Sequence, residues 1–410
     1  VTGAADDDPS GIFTYSQAGA QFGLGLLWTA VFMLPLMIAV QEMCARIAIV
    51  TGEGITTVIK QHYSKTWLYS IVAMLLVANT INLGVDLGAM AEAAKLLVPV
   101  HYGTAVVMFA LLLIGLEIVV PYRRYAPILK WLTISLFAYV VTCIIATRNW
   151  PAVLKATFVP SIHFNFQFLM IIVGVLGTTI SPYMFFWQAA QEREEVEERK
   201  EAHQHRPARR FVLKNMRIDT VSGMIFSEIT AWCILLTTGE VLHANGVTDI
   251  KSAAQAASAI RPLVRTFPHA GKISEVLFAL GILGTGALAV PIFAATSSYA
   301  LSELMGWKEG LALSFSEAKR FYFAIVAGTV IGVFINVLGI DPIKALVYTA
   351  VLNGVVAVPM IFLLIRITSN RKIMGQNTSG PLGSTLSWLT FAGMGMAAVA
   401  AVYAFVTGRQ

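Results

Sequence analysis

The sequence predicts an all-α integral membrane protein, and three observations carry that expectation. Of the 410 residues, 57% are hydrophobic and only 13% are charged, against about 25% charged in a soluble domain. The charges are clustered, which leaves many apolar stretches near the roughly 20 residues that a membrane helix needs. Runs such as 106–120 and 389–406 do not alternate apolar with polar residues, as barrel strands would over about ten positions. Helices satisfy their own backbone hydrogen bonds in lipid, so they are the expected spanning elements.

Eleven spans follow in chain order. The sequence starts at Val1 without Met, in Gly-Ala-rich sequence. The first span, about 1–25, is expected to be entered part-way and interrupted near Asp8-Pro9-Ser10-Gly11, with no cleavable leader. The apolar stretch from Ile12 to Val50 exceeds one span, so it is divided near Gly23-Leu24-Gly25 into the first span and a second at 26–50. The remaining apolar runs give spans at 68–97, 104–121, 126–147, 166–190, 215–240, 274–304, 320–338, 343–367 and 386–407.

Basic residues set the orientation. With the N-terminus inside, twenty of the 29 Lys and Arg fall on the cytoplasmic side. They include Arg46, Lys60, Lys65, Arg123, Arg124, Lys308, Lys319, Arg320 and Arg366, and eight between Arg193 and Arg217. A cytoplasmic N-terminus in a cell membrane, that of a bacterial inner membrane, is the expectation. The net charge of +6 belongs to this face and implies no nucleic-acid partner. The segment from Gln191 to Arg210 is the most polar in the chain and reads as a solvated helical extension or loop, with His203 and His205 as solvated surface residues.

Other motifs carry no enzyme chemistry. Cys44, Cys143 and Cys233 are far apart, lie in apolar segments and show no metal-ligand or disulfide spacing. The spans hold no Ser-His arrangement, HExxH or paired catalytic carboxylates, so no enzyme activity and no cofactor is expected. The small residues of Gly281–Ala300 lack the spacing of a nucleotide loop and fit close helix packing. Among intramembrane polar residues stand Asn79, Asn82, Asp86, Glu92, Glu117, Glu228 and Asn353. Glu117 is expected to pair with Arg123 or Arg124. Asn353 is open to two readings, a helix–helix hydrogen bond or an approach to a bound ion.

Two interruptions suggest transport. The first is Asp8-Pro9-Ser10-Gly11, and the second is Gly177-Thr178-Thr179-Ile180-Ser181-Pro182 inside an otherwise apolar span. Proline removes a donor and clashes with the preceding turn. Each interruption opens a group of five spans, at matching positions of two inverted repeats, as in many secondary transporters. The repeats are expected at about 1–147 and 166–367, with an extra helix at 386–407. A mere proline kink at the second interruption and a solvated acidic tail at Asp6, Asp7 and Asp8 are the plainer alternatives.

The run Asp8-Pro9-Ser10-Gly11, continuing through Gln17–Gly23 to Leu27-Trp28, resembles the first span of NRAMP divalent-metal transporters, and Ala45-Arg46 through Val50-Thr51-Gly52 resembles the end of their second. The resemblance implies a LeuT-like fold of five plus five helices and an eleventh, with unwound first and sixth helices, and metal transport by alternating access. It places Asp8, the carbonyls of Ala5 and Thr178, Gly11 and Ser181 at the metal, and Asn353, from its place near the middle of the tenth span, is the further candidate. The family's first-span signature is Asp-Pro-Gly-Asn and its sixth-span signature Met-Pro-His. Here Gly11 stands at the asparagine position, Ser181 at the methionine and Tyr183 at the histidine, while a third-span acidic pair becomes Asp86 and Ala89. These departures resemble the NRAMP-related magnesium transporter branch. A site without thioether suits a hard cation, and Mg2+ keeps several waters beside one or two carboxylates. The expectation is transport of Mg2+, with Mn2+ also accepted, without strict proton coupling because histidine and one relay carboxylate are missing. A proton-coupled Mn2+/Fe2+ transporter of the ordinary type and an organic-solute symporter of the same fold are the alternatives. The expected partners are the metal ion and the lipid bilayer, with no obligate protein.

Overall fold

A computed structural model describes residues 7–120, 124, 131, 133–163, 165–201 and 209–407. The first group of helices comprises α1 (Pro9–Phe22), α2 (Trp28–Thr51), α3 (Ile55–His62), α4 (Lys65–Leu97), α5 (Tyr102–Val119) and α6 (Phe137–Ala146). The second comprises α7 (Phe166–Thr179), α8 (Pro182–Glu201), α9 (Arg209–Val241), α10 (Ala270–Met305), α11 (Lys319–Ile335) and α12 (Pro342–Thr368), followed by α13 (Pro381–Thr407). Among the described residues, eight units are long and apolar enough to cross a membrane: α2, α4, α5, the joined α7–α8, α9, α10, α12 and α13. Helices α1, α6 and α11 are shorter, and they occupy the three other expected span positions.

The layering inverts that of a soluble protein. The most hydrophobic stretch of α7–α8 is 83% buried, whereas those of α5 and α13 are only 28% buried. The broken helix is therefore central, and α5 and α13 are peripheral. Their outward residues, such as Leu111, Leu112, Met396 and Val399, are exposed apolar side chains that suit lipid. At the centre α4 packs on α10, α1 packs on α9, and α8 packs on α2. The first span of each group, α1 and the joined α7–α8, thus meets the second span of the other, α9 and α2.

Proline placement separates breaks from kinks. Pro35, Pro291 and Pro359 sit inside α2, α10 and α12, and those helices continue past them. Pro9 and Pro182 instead start helices, where a missing N–H costs nothing. The small-residue stretch of α10 packs closely, as expected: a methyl on Gly286 would meet Met90 Sδ at 2.7 Å.

Lys60 of α3 and Arg193 of α8 line one pocket at one end of the molecule. Lys60 donates to the Leu304 carbonyl at 2.8 Å. Arg193 donates to Glu303 at 3.1 Å and also pairs with Glu309. The expectation of a uniformly solvated segment at 191–210 is corrected there: Arg193 is buried, and Glu194 bonds Tyr299 and accepts from the Leu311 N–H at 2.9 Å. A helix that projects from the core carries its first polar turn inward, where loop 306–318 covers it. His203 and His205 lie outside the described residues. The expected Glu117 pair is not formed with Arg124, and Arg123 lies outside the described residues; Glu117 is buried, and its Oε1 meets no partner among those described. Cys143 and Cys233, ninety positions apart, lie side by side as free thiols with sulfurs 3.5 Å apart.

Candidate functional site

The first interruption is built by a helix start. Asp8 is the N-cap of α1, with an extended backbone (φ −74°, ψ 167°). Its Oδ1 accepts the Gly11 N–H at 2.6 Å, and the Ser10 hydroxyl lies 2.9 and 3.0 Å from its two oxygens. An acceptor here satisfies an otherwise orphaned amide of the first turn, and its charge complements the helix dipole. Asp8 is only 1% exposed, so this carboxylate is held inside the helical bundle by local bonds. Ser10 and Gly11 lie in the first turn of α1, so the open backbone precedes Pro9 rather than running through Gly11. Ala5 lies outside the described residues.

The second interruption is short. Helix α7 ends at Thr179 and α8 begins at Pro182, with Ile180 at φ −116°, ψ 66° between them. The buried Ser181 hydroxyl turns back to the carbonyls of Gly177 at 2.8 Å and Thr178 at 2.7 Å. Gly177 presses on α12: a β-carbon there would stand 2.1 Å from the Ala350 carbonyl oxygen and 2.3 Å from the Gly354 nitrogen. The end of α7 is thereby fixed against its neighbour.

The two interruptions meet. A β-carbon on Gly11 would touch both sides at once, 2.8 Å from Thr178 Oγ1 and 3.1 Å from Asp8 Oδ1. Tyr15 and Thr179 share a hydroxyl hydrogen bond of 2.8 Å across the same junction. Asp8, Gly11, Thr178 and Ser181 therefore form one cluster. From α4 comes Asp86, fully buried at 0% exposure, which interacts electrostatically with Asp8. Neither Asp86 oxygen has a hydrogen-bond partner among the described residues, and neither does Thr178 Oγ1. Buried polar atoms are ordinarily bonded, so this set of unsatisfied hard oxygens has the capacity to hold a cation. No group of three or more His, Cys, Asp or Glu with metal-binding geometry occurs among the described residues. Binding would then rest on two carboxylates completed by hydroxyl, carbonyl and water oxygens.

Asn353 is engaged elsewhere. Its Oδ1 accepts from Asn82 Nδ2 at 2.8 Å, and its Nδ2 donates to Asn82 Oδ1 at 3.1 Å. This reciprocal amide pair joins α4 to α12, which is the helix–helix reading. Tyr183 packs its ring on Phe293 with centroids 4.3 Å apart. Asp86 was absent from the site set that the resemblance implies. Its signal in the sequence is a lone aspartate amid apolar residues at membrane depth, where carboxylates are costly.

Comparison with known proteins fits this geometry. The Nramp family, described as natural resistance-associated macrophage protein-like, matches residues 1–404. A divalent metal cation transporter, MntH, of Caldanaerobacter subterraneus is 26% identical over 392 residues, covering 93% of this chain and 86% of the relative. MntH of Klebsiella pneumoniae is 27% identical over 380 residues, covering 90% and 84%. Among solved structures, the Eremococcus coleocola manganese transporter superposes with a TM-score of 0.75 at 16% identity, covering 98% of this chain and 84% of that one. Mhp1, a nucleobase-cation-symport-1 family transporter, superposes at 0.57 and 13% identity, covering 98% and 91%. The fold is accordingly LeuT-like, an all-helical membrane architecture with its broken helices at the centre. The chain belongs to the Nramp family, a family of transporters and not of enzymes.

Proposed function

We propose that this chain carries divalent metal cations across the membrane, with Mn2+ as a cargo, by exposing the Asp8–Thr178 cluster alternately to the two sides. The observation that carries the reading is the meeting of two helix interruptions at a buried set of oxygens left unsatisfied on Asp86 and Thr178. The bacterial relatives named as divalent metal cation transporters, and the like-folded protein named as a manganese transporter, support the cargo class. Mn2+ accepts carboxylate, carbonyl and water oxygens.

The chain's own residues would act as follows. Ser10 and the Gly11 N–H orient the Asp8 carboxylate. Asp86 adds a second charge from α4, and Ser181 steadies the Thr178 carbonyl at the end of α7. The Tyr15–Thr179 bond couples α1 to α7, so displacement of either broken helix changes access to the ion. Asn353 contributes by joining α4 to α12 through Asn82.

A second reading, preference for Mg2+, is favoured by Gly11 and Ser181. A hydroxyl replaces the soft sulfur ligand that would select a transition metal, and glycine leaves room for water on the ion. Transport without strict proton coupling belongs to this second reading. Initial-rate Mn2+ uptake into proteoliposomes, with Mg2+ as competitor and internal pH recorded, tests both. Saturable Mn2+ uptake supports the proposal. Competition by Mg2+ without acidification supports the second reading. Mn2+ uptake that ignores Mg2+ and acidifies the lumen in fixed ratio contradicts it.

A further inference from the structure

The aspartate before Asp8 is not used by the cluster described above. Side chains of successive residues in an extended backbone point to opposite sides, and Asp8 is extended. Asp8 turns to Gly11 and Thr178, and Asp7 turns away, to α9. Asp7 Oδ1 accepts from the Ser227 hydroxyl at 3.1 Å. The next residue of α9, Glu228, interacts electrostatically with Asp7. Asp7 is 7% exposed and Glu228 is 5% exposed, so both are buried.

This arrangement is costly as it stands. Two buried carboxyl groups are brought to one junction of α1 and α9, Asp7 bonded to Ser227 and Glu228 next to it in sequence, where charge is poorly screened. No Lys, Arg or His forms an ion pair with either among the described residues. Glu228 Oε1, nine-tenths buried, has no hydrogen-bond partner among them. Among the described residues helix–helix bonding does not account for the pair, because the Ser227 bond to Asp7 leaves Glu228 Oε1 idle. Two adjacent acidic side chains with an idle oxygen supply the hard ligands that a cation takes.

We propose that Asp7 and Glu228 form a second station for the same divalent cation, separate from the Asp8 cluster and next to it at the start of α1. The proposal rests on the divalent-cation reading above. Two carboxylates suffice for a partly hydrated divalent ion, with water completing its shell. Ser227 fixes Asp7, and the Asp7-Asp8 segment is common to both stations. A shift of that segment ahead of Pro9 therefore moves both ligand sets together, and an ion at one station repels an ion at the other and promotes its exit.

The test uses the purified full chain, with Glu228→Gln, Asp7→Asn and Asp8→Asn as variants of nearly unchanged volume. Equilibrium Mn2+ binding is read from the electron paramagnetic resonance of free Mn2+, beside Mn2+ uptake into proteoliposomes. Wild type is expected to show two classes of Mn2+ binding. Glu228→Gln and Asp7→Asn are each expected to lose one class and retain the other, and the retained class shows that the variant is folded. Their uptake is expected to fall by roughly tenfold or more, the scale on which loss of a metal-site partner acts. Asp8→Asn is expected to lose the other class. A single class in wild type, untouched by Glu228→Gln and by Asp7→Asn, overturns the second station and leaves the divalent-cation reading intact. Wild-type uptake by Asp8→Asn overturns that underlying reading instead.

Discussion

Substituting Gly11 with alanine probes the site with a single methyl group. Gly11 lies in the first turn of α1, where its N–H caps onto Asp8. The added carbon would stand 2.8 Å from Thr178 Oγ1 and 3.1 Å from Asp8 Oδ1. The first distance is closer than real β-carbons approach, so one side has to give. Thr178 is poorly placed to do so: it is β-branched and stiff at χ1, and its helix is fixed through Gly177 against Ala350 and Gly354. Overpacking of this kind costs about 1–3 kcal/mol. Alanine in place of glycine returns up to about 1 kcal/mol of helix propensity. The net effect on stability is thus a loss of at most about 3 kcal/mol, and about 2 where the full propensity gain is realised, while the methyl sits between the two side chains expected to face the ion. Thermal unfolding in detergent and initial-rate Mn2+ uptake separate the two effects. Gly11→Ala is expected to fold with a modestly lowered melting temperature and to lose most of its uptake. Gly115→Ala on peripheral α5, where a β-carbon meets nothing within 4 Å, is expected to keep full uptake. Wild-type transport by Gly11→Ala would refute the placement of Gly11 beside the ion.

Three further outcomes follow from the geometry. In a double-mutant cycle, Asn82→Ala and Asn353→Ala should couple by about 0.6 kcal/mol and by no more than about 1.7, the range of membrane hydrogen bonds; strictly additive effects on unfolding would deny the amide pair. Ser181→Met should raise competition by Cd2+ against Mn2+ uptake by supplying a soft sulfur, and unchanged selectivity would remove Ser181 from the site. At the basic end, outside the membrane spans, burial and then the Glu303 charge push the Glu309 carboxyl from 4.5 up to about 8. The folded chain thus holds a proton there that the unfolded chain has released, so this group's contribution to stability falls as pH rises from 4.5 through 8. Glu309→Gln should flatten that part of the melting-temperature profile, and an unaltered slope would assign the effect to another group.

The membrane class and the helix positions were legible because they depend on local composition. Apolar run length and proline mark helices whatever they pack against. The meeting of Asp8 with Thr178, 170 positions apart, was suggested by the matching places of the two interruptions, with a kink and an acidic tail as alternatives, and was sharpened by the resemblance. Partnership was the illegible part. Asn82 and Asn353 are 271 positions apart, and nothing local marks them as a pair. Asp86 was marked by the resemblance as half of an acidic pair, but its place beside Asp8 is a feature of the fold. The polar run at 191–210 read as solvated because charge is the local signal, yet loop 306–318 and α10 supply Glu309 and Glu303 that draw Arg193 inward. Asp7 in the acidic run Asp6-Asp7-Asp8 read as part of a tail for the same reason: its extended backbone and its neighbour on α9 are features of the fold.

The most direct test of the central claim is Mn2+ uptake into proteoliposomes by wild type and by Asp8→Ala at matched protein incorporation. The account predicts saturable uptake by wild type and background uptake by Asp8→Ala, with the variant still folded by its melting curve. Undiminished Mn2+ uptake by Asp8→Ala would contradict it.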